Sequence, residues 1–245
     1  MNHFESYTLQ PELASDLDRF ALQCLEQLKQ MLAQKQYANY PTQRLSYFNG
    51  ARIENGVLCL PEGPWETADN GRAEPLALQE RPLHPWIDSM LANPDIGVVT
   101  GRGAYWQWGP NYTADSIVVR HDLEEPCILL IRRSDTGQLA LPGGFIDTNE
   151  PALTAALRET AEETSLDLAS LNPLVRQVYT GPLADLRVTA NAWPVTSAFR
   201  FDIPQPPPNL CAGDDATDAV WLPISQIHEH LFGSHRLLIE LALNS

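Results

Sequence analysis

Basic side chains are scarce in this sequence, which has 16 Lys and Arg residues against 31 Asp and Glu residues. The formal net charge is −15 at pH 7, so the average field repels phosphate backbones and anionic lipid headgroups. We therefore expect neither nucleic acid nor a membrane surface as a partner. Cysteine is also scarce, because Cys24, Cys59, Cys127 and Cys211 lie far apart without a CxxC pair. This spacing argues against a zinc site or a disulfide framework.

Long apolar runs are missing as well. No stretch approaches the roughly 18 residues that a membrane-spanning helix needs. Residues 1–12 lack the basic start and the apolar run of a signal peptide, so we expect a cytoplasmic protein. The 245 residues, of which 44% are hydrophobic, suffice for the core of one large domain or two small ones.

Residues 1–94 and 95–245 differ in character, and we predict a domain boundary between them. Apolar residues recur at three- and four-residue steps from Leu13 to Leu32, which predicts an amphipathic helix. The following residues, rich in Pro, Gly and polar side chains, predict an irregular segment with strand candidates at Arg44–Phe48 and Gly56–Leu60. The sequence of this N-terminal subdomain does not indicate a role. One hypothesis is that its helix and its tryptophans, Trp65 and Trp86, wall one side of a cleft, and the other is that they form a dimer contact.

Strand-like and helical segments alternate in the second part. Ser134–Gly137 has the composition of a turn between two strand candidates and indicates a hairpin. Ser225–Leu231 and His235–Leu243 have helical spacing. The interleaving indicates an α/β or α+β class with a mixed sheet. The strand candidates are Ser116–Arg120, Cys127–Arg132, Gln138–Leu141, Val175–Tyr179, Val195–Phe201 and Ala219–Leu222.

A helix is predicted immediately after the double glycine Gly143-Gly144. Pro151 falls at the first helical positions, where proline is tolerated. Strong helix formers dominate the residues from Ala152 to Thr164. We therefore predict one helix over these residues.

Three glutamates crowd the last turns of this helix: Glu159, Glu162 and Glu163. Spacings of three and four residues project their carboxylates into one volume, where like charges repel. The helix C-terminus favours cations, so the arrangement costs stability unless a positive ion lies between the carboxylates. Clustered hard oxygen ligands are what Mg²⁺ or Mn²⁺ selects. A solvated acidic helix face is the alternative, and these residues alone do not decide between the two.

The whole stretch resembles the Nudix box, whose pattern is Gly, five residues, Glu, seven residues, Arg-Glu, an apolar residue, any residue, Glu-Glu, any residue, Gly and an apolar residue. Two positions depart, because Thr160 stands at an apolar site and Ser165 replaces the last glycine. We expect Thr160 to pack through its methyl group and Ser165 to shift the helix end. The matching positions are Gly144, Glu150, Arg158, Glu159, Glu162, Glu163 and Leu166.

Segments on both sides of the box are similar to mitochondrial-type ADP-ribose pyrophosphatases and to the ADP-ribose-sensing domain of melastatin-type channels. The likeness covers about residue 97 to the C-terminus and does not reach the first 90 residues. It implies a Nudix α/β/α sandwich with a mixed sheet, and hydrolysis of ADP-ribose to AMP and ribose 5-phosphate. The segments that carry it are Thr100–Gly103, Trp108–Asn111, Ala114-Asp115, Asp185–Arg187, Thr189–Trp193, Ala212–Ala216 and Ser234-His235, with Ala190 at an otherwise acidic position.

The resemblance assigns the catalytic metal to the box. Glu159, Glu162 and Glu163 are expected to be catalytic and to bind Mg²⁺, with Mn²⁺ as a substitute. The backbone carbonyl of Gly144 is expected to be a further ligand. Such a cation resolves the conflict between a diphosphate substrate and a chain of charge −15.

The resemblance also assigns residues around the metal. Glu150 and Arg158 are expected to pair with each other and to hold the helix in register. Residues matching Asp185, Arg187 and His235 lie near bound ADP-ribose in the channel-type domain. A guanidinium offers the planar donor fork that phosphate or ribose oxygens accept, so Arg187 is a candidate substrate contact.

Four further residues are weaker candidates. Trp108 and Asn111 are expected either to contact the substrate or to shape a turn under the site. Asp214 and Asp215 either cap a strand or orient water. A box glutamate or one of these two acids is the expected general base, and the sequence does not choose between them.

Other functions fit parts of the pattern. NADH, a nucleotide sugar or another ADP-linked compound presents the same diphosphate to the same metal. A module that binds ADP-ribose without cleaving it is a second alternative. The channel-type domain has lost part of the box, however, whereas Arg158-Glu159 and Glu162-Glu163 are intact here and favour an enzyme. A Nudix-type transcription regulator needs a winged-helix domain with a basic recognition helix, for which the sequence offers no candidate.

Overall fold

The computed structural model describes residues 11–34, 52–59, 67–69, 76–93, 95–204, 210–213, 216–227 and 231–244. The strand candidate at 44–48, Trp65, Asp214 and Asp215 lie outside these ranges. Within them, no helix combines the length and the apolar character that crossing a bilayer requires. The cysteines are all free thiols.

Four helices and eleven strands make up the regular structure of the described residues. The helices are α1 (Pro11–Gln34), α2 (Ile87–Leu91), α3 (Ala152–Thr164) and α4 (His235–Asn244). The first strands are β1 (Arg52–Glu54), β2 (Val57–Cys59), β3 (Thr67–Asp69) and β4 (Thr100–Gly103). The remaining strands are β5 (Gly109–Arg120), β6 (Cys127–Arg133), β7 (Leu139–Ala140), β8 (Gly143–Phe145), β9 (Leu174–Pro182), β10 (Ala192–Ile203) and β11 (Ala216–Pro223).

One mixed sheet organises the second part of the chain. Its main path runs β11-β6-β5-β10-β9, with β7 paired to β6 and β8 paired to β5. The β5–β10 pair is parallel, whereas the other pairs of this sheet are antiparallel. The predicted hairpin at Ser134–Gly137 joins β6 to β7.

The sheet lies between two helical layers. The alternation of side chains along each strand decides which layer each side chain faces. Successive side chains of a strand point to opposite faces. On β5, Ile117 and Val119 accordingly belong to the apolar cluster of α1 and α4, whereas Ala114 and Val118 belong to the cluster of α3. The α/β/α sandwich with a mixed sheet is therefore confirmed.

The N-terminal helix is part of this sandwich. Its stripe residues Phe20, Cys24, Leu28 and Met31 are buried in the same apolar cluster as α4. Trp86 packs against that cluster as well. The helix predicted at the N-terminus is confirmed, while the boundary at residue 94 and the dimer contact stay predictions.

The predicted helix at Ser225–Leu231 is wrong in its described part. Only a single 3-10 turn, Ile224–Gln226, forms there. Glu125 accepts hydrogen bonds from the Ser225 backbone N–H and side chain, and Leu231 bridges to Leu139 of β7. These contacts account for the difference at residues 224–227 and 231.

Candidate active site

Helix α3 begins and ends where the sequence predicts. Pro151 precedes it in an extended conformation, with φ −65° and ψ 141°. Ser165 ends it in the left-handed region, with φ 56°, and its N–H donates to Ala161 at 2.9 Å. The expected shift of the helix end is therefore wrong, because the serine itself adopts the conformation that a glycine would take more easily.

Thr160 occupies its apolar position without leaving its hydroxyl unsatisfied. The side chain is fully buried between α3 and β5. Its Oγ1 lies 2.7 Å from the Ala156 carbonyl oxygen and 2.8 Å from Ser116 Oγ. A buried hydroxyl with such partners is tolerated, so this departure from the box does not disturb the helix.

Two of the three box glutamates press against the backbone of β8. The Gly143 N–H donates to Glu163 Oε2 at 2.9 Å. A Cβ on Gly144 would lie 2.5 Å from the Glu159 carboxyl carbon, so only glycine permits this approach. Gly144 thus lets Glu159 approach the same strand that donates the Gly143 N–H to Glu163.

Both of these carboxylates are electrostatically strained. Burial, with repulsion from Glu159 and Asp115, raises the pKa of Glu163 to about 8 despite the Gly143 hydrogen bond. Burial also raises the pKa of Glu159, even though Arg158 works in the opposite direction. A buried carboxylate with a raised pKa is a group for which a nearby cation would be favourable.

Arg158 neutralises part of this charge. Its guanidinium donates to both carboxylate oxygens of Glu150, at 2.9 and 2.8 Å. It also donates to Glu159 at 2.7 Å, to Glu162 at 3.0 Å and to the Phe145 carbonyl at 3.1 Å. Glu150 in turn accepts from the Asp147 N–H. The arginine therefore ties α3 to the loop that precedes it.

A divalent cation fits Glu159 and Glu163 better than it fits Glu162. In the parts of the chain that the structure describes, no three His, Cys, Asp or Glu side chains are arranged as a ligand set. Glu162 is 43% exposed and points to Arg158. The buried Glu163 carboxylate, the partly buried Glu159 carboxylate and the adjacent Gly144 carbonyl offer hard oxygen donors of the kind that Mg²⁺ and Mn²⁺ prefer. Below, Glu159, Glu162 and Glu163 are called the glutamate cluster.

A second group of side chains lies beside the first, and we call Tyr105, Asp185, Arg187, Phe232 and His235 the arginine–aromatic cluster. The Arg187 Nε lies 2.9 and 3.0 Å from the two carboxylate oxygens of Asp185. The Arg187 guanidinium carbon lies 5.7 Å from the Tyr105 ring centroid and 5.4 Å from that of Phe232. Burial works to raise the pKa of Asp185, but Arg187 overcomes it and holds that pKa below its usual range.

His235 connects the two clusters. Its Nδ1 accepts the Leu141 N–H at 2.8 Å, and its Nε2 faces Asp115 at 3.8 Å. Burial lowers the pKa of the imidazole, although the Asp115 charge opposes this. Its ring also meets Phe232 edge-on at 5.5 Å. The ring is therefore neutral near pH 7, with its proton on the nitrogen that faces Asp115.

Trp108 lies in the turn before β5, and Asn111 lies near the start of that strand. The Asn111 side chain is buried and accepts the backbone N–H groups of Trp106 and Gln107. Its amide donates to the Gln107 and Gly109 carbonyls. Trp108 carries the Arg81 guanidinium 5.0 Å from its ring centroid. These contacts favour the interpretation in which both residues shape a turn.

Two residues of the site had no role in the sequence interpretation. Asp115 is buried on β5, and its side chain accepts a hydrogen bond from Thr196. Arg133, at the end of β6, lies 4.1 Å from the Phe232 ring centroid and pairs with Asp135 at 2.7 Å. The only sequence signal for Asp115 is its place in the Ala114-Asp115 segment, whereas Arg133 has no comparable signal.

Comparison with known proteins places this geometry in context. A family model described as NUDIX domain matches residues 110–241. The chain is 36% identical over 157 residues to nudix hydrolase 6 of Caenorhabditis elegans. These residues make up 60% of each protein. It is 34% identical over 176 residues to the mitochondrial ADP-ribose pyrophosphatase of Rattus norvegicus, which covers 58% of this chain and 50% of the relative.

A channel protein matches the same part of the chain. A transient receptor potential channel, subfamily M member-like 2, of Nematostella vectensis is 29% identical over 174 residues. The match covers 57% of this chain and 11% of the channel. The chain thus spans between half and three fifths of the two hydrolase relatives and a small part of the channel.

Proposed function

The chain belongs to the NUDIX domain family, and from that premise we propose that it hydrolyses the diphosphate of ADP-ribose to AMP and ribose 5-phosphate with bound Mg²⁺. The rat relative is named an ADP-ribose pyrophosphatase, and its similarity extends over 176 residues. Mn²⁺ is expected to substitute for Mg²⁺, because both ions select clustered oxygen ligands.

One observation carries the proposal, namely an unbroken line of contacts between the two clusters. Glu163 accepts the Gly143 N–H. A Cβ on Gly143 would lie 2.8 Å from Asp115 Oδ1, and Asp115 faces His235 at 3.8 Å. His235 meets Phe232, whose ring lies beside Arg187. This series of neighbouring residues links groups suited to a metal with groups suited to a ribose phosphate, which supports the proposal that both serve one site.

The glutamate cluster is the metal-binding side of the proposal. Glu159, Glu163 and the Gly144 carbonyl would hold the ion, with Glu162 joining them on leaving Arg158. A bound Mg²⁺ neutralises phosphate oxygens and lowers the pKa of a coordinated water. The family generally uses divalent metals. Arg158 competes for Glu159 and Glu162, and its pairing with Glu150 keeps it beside the site after that exchange.

The arginine–aromatic cluster is the substrate-binding side. Arg187 offers a guanidinium whose orientation is set by Asp185 and by the flanking rings. Such a preorganised donor binds phosphate or ribose oxygens at low entropic cost. Neutral His235 offers an N–H donor and adds no positive charge that would repel the metal ion. Trp108 and Asn111 support this side by holding the turn before β5.

A substrate panel tests the proposal. Purified protein with Mg²⁺ is incubated with ADP-ribose, NADH and a nucleotide sugar, and the products are separated by ion-pair chromatography. We expect AMP and ribose 5-phosphate from ADP-ribose at the highest kcat/KM of the panel. Clear turnover of NADH or of the sugar and none of ADP-ribose would contradict the substrate assignment. Tight ADP-ribose binding without turnover of any compound would identify a sensor.

A further inference from the structure

Helix α1 lies outside the residues that the family model matches, yet it contacts the segments that carry the arginine–aromatic cluster. The Phe20 ring packs on the Tyr179 ring with centroids 4.4 Å apart. The Cys24 thiol contacts the Ala184 backbone and the Ser234 side chain. Gln27 Nε2 donates to the Gly233 carbonyl at 2.7 Å. One face of α1 therefore reaches two separate connections of the domain.

The Cys24 and Gln27 contacts are each made to a residue that neighbours a side chain of the cluster. Ala184 precedes Asp185, Gly233 follows Phe232, and Ser234 precedes His235. The two connections are also tied to each other, because the Ser234 hydroxyl donates to the Ala184 carbonyl at 2.8 Å. A displacement of α1 would therefore reach Asp185 and His235 together.

Gln27 contacts a residue whose backbone conformation few other residue types adopt. Gly233 has φ +51°, in the left-handed region that favours glycine. The turn at this residue sends Phe232 toward the two arginines and starts α4 at His235. A carbonyl without its donor favours conformations in which it finds another partner. The hydrogen bond from Gln27 thus stabilises the backbone conformation that places the Phe232 and His235 rings in the arginine–aromatic cluster.

We propose that α1 positions the arginine–aromatic cluster and that Gln27 is its principal positioning residue, acting through the Gly233 carbonyl. Gln27 touches no substrate in this account. The consequence for catalysis rests on the proposed function, whereas the consequence for the two connections, residues 183–187 and 231–235, does not. The two parts are therefore measured separately.

The test compares two identical substitutions on one helix. Gln27→Met keeps the side-chain length and removes the donor, and Gln30→Met makes the same change at an exposed position of α1. Hydrogen–deuterium exchange is measured by mass spectrometry in the full chain. We expect Gln27→Met to speed exchange in residues 183–187 and 231–235 at least fivefold, as for the loss of one hydrogen bond, and to leave α3 and β5 unchanged. Gln30→Met is expected to match the parent.

Steady-state kinetics with ADP-ribose and saturating Mg²⁺ complete the test. We expect KM to rise roughly 5- to 10-fold in Gln27→Met and kcat to stay within about twofold, because the glutamate cluster is not touched. A merely structural role would instead lower the melting temperature and the active fraction without moving KM. Should Gln27→Met fail to fold, Cys24→Ala removes a second contact of α1 and is expected to affect the same two connections.

The outcomes separate the positioning role from the proposed function. Unchanged exchange in both connections, or faster exchange spread evenly over the protein, overturns the inference. An unchanged KM in an active Gln27→Met protein overturns it as well. If the parent does not cleave ADP-ribose, the proposed function fails, and local acceleration of exchange still supports the positioning role.

Discussion

The two clusters that border the site differ in how their charges are balanced. Glu163 is buried beside Glu159 and Asp115, and its pKa rises to about 8. Asp185 is equally buried, but the bidentate contact with Arg187 lowers its pKa. Two buried acids in one site thus have opposite shifts. Under the proposed function, a cation would supply the positive charge that the glutamate cluster lacks, whereas Arg187 already supplies it in the arginine–aromatic cluster.

The comparison assigns each cluster its expected response to mutation. Changes in the glutamate cluster should alter turnover and metal dependence while relieving repulsion in the metal-free fold. Changes in the arginine–aromatic cluster should alter substrate affinity and cost stability, because they break pairs that exist without ligand.

Replacing Glu163 by Gln should have the largest effect. The side chain keeps its size but loses the charge that would hold the metal, so we expect turnover of ADP-ribose to fall about 100-fold or more at saturating Mg²⁺. The melting temperature of the metal-free protein is recorded in parallel and should not fall. An unchanged kcat would remove Glu163 from the site.

Replacing Glu150 by Gln should cost less, about 10- to 100-fold in turnover, because this residue acts through Arg158. The variant serves as a matched control for Glu163→Gln, with the same chemical change at the start of the box. A loss that equals or exceeds that of Glu163→Gln would show that Glu150, rather than Glu163, dominates the metal side.

Replacing Arg187 by Lys tests the arginine–aromatic cluster. Lysine keeps the charge but lacks the planar guanidinium that donates to both oxygens of Asp185. We therefore expect KM for ADP-ribose to rise roughly 10-fold with a smaller change in kcat. The apparent Mg²⁺ affinity should stay as in the parent. A loss confined to kcat, with KM unchanged, would place Arg187 on the reacting phosphate and blur the division.

The smallest expected effect is on the pH dependence of stability in EDTA. Between the usual glutamate pKa of 4.5 and about 8, the folded protein holds a proton on Glu163 that the unfolded chain releases. Stability contributed by this group therefore falls as pH rises through that window. The melting temperature of Glu163→Gln relative to the parent should increase by a few degrees from pH 5 to pH 8.5. A constant difference would contradict the raised pKa.

The same comparison explains how much of the site the sequence could predict. The glutamate cluster lies on one helix, whose bounds follow from local helix propensity and from Pro151, so Ala152–Thr164 was predictable. The arginine–aromatic cluster depends on contacts between distant residues, such as the His235–Leu141 hydrogen bond. Such pairs are fixed by sheet register and by the Leu231–Leu139 bridge, which leave no periodic signal.

The fold shows a similar limit. Alternating and apolar runs predicted most strands of the second part, although β5 and β10 extend well beyond the predicted residues. Spacing alone predicted a helix at Ser225–Leu231, and the contacts of Glu125 and Leu139 overrode it. Asp115 was visible only as part of a similar segment, since its role depends on β8 lying beside β5.

A magnesium titration of the parent protein tests whether cleavage of ADP-ribose depends on a bound cation. The rate of AMP release from ADP-ribose is followed from excess EDTA to saturating Mg²⁺, with both products identified. We expect no release in EDTA, a saturable rise with Mg²⁺ and equal amounts of AMP and ribose 5-phosphate. AMP release at the same rate in EDTA, or no release at any Mg²⁺ concentration, would contradict the proposed function.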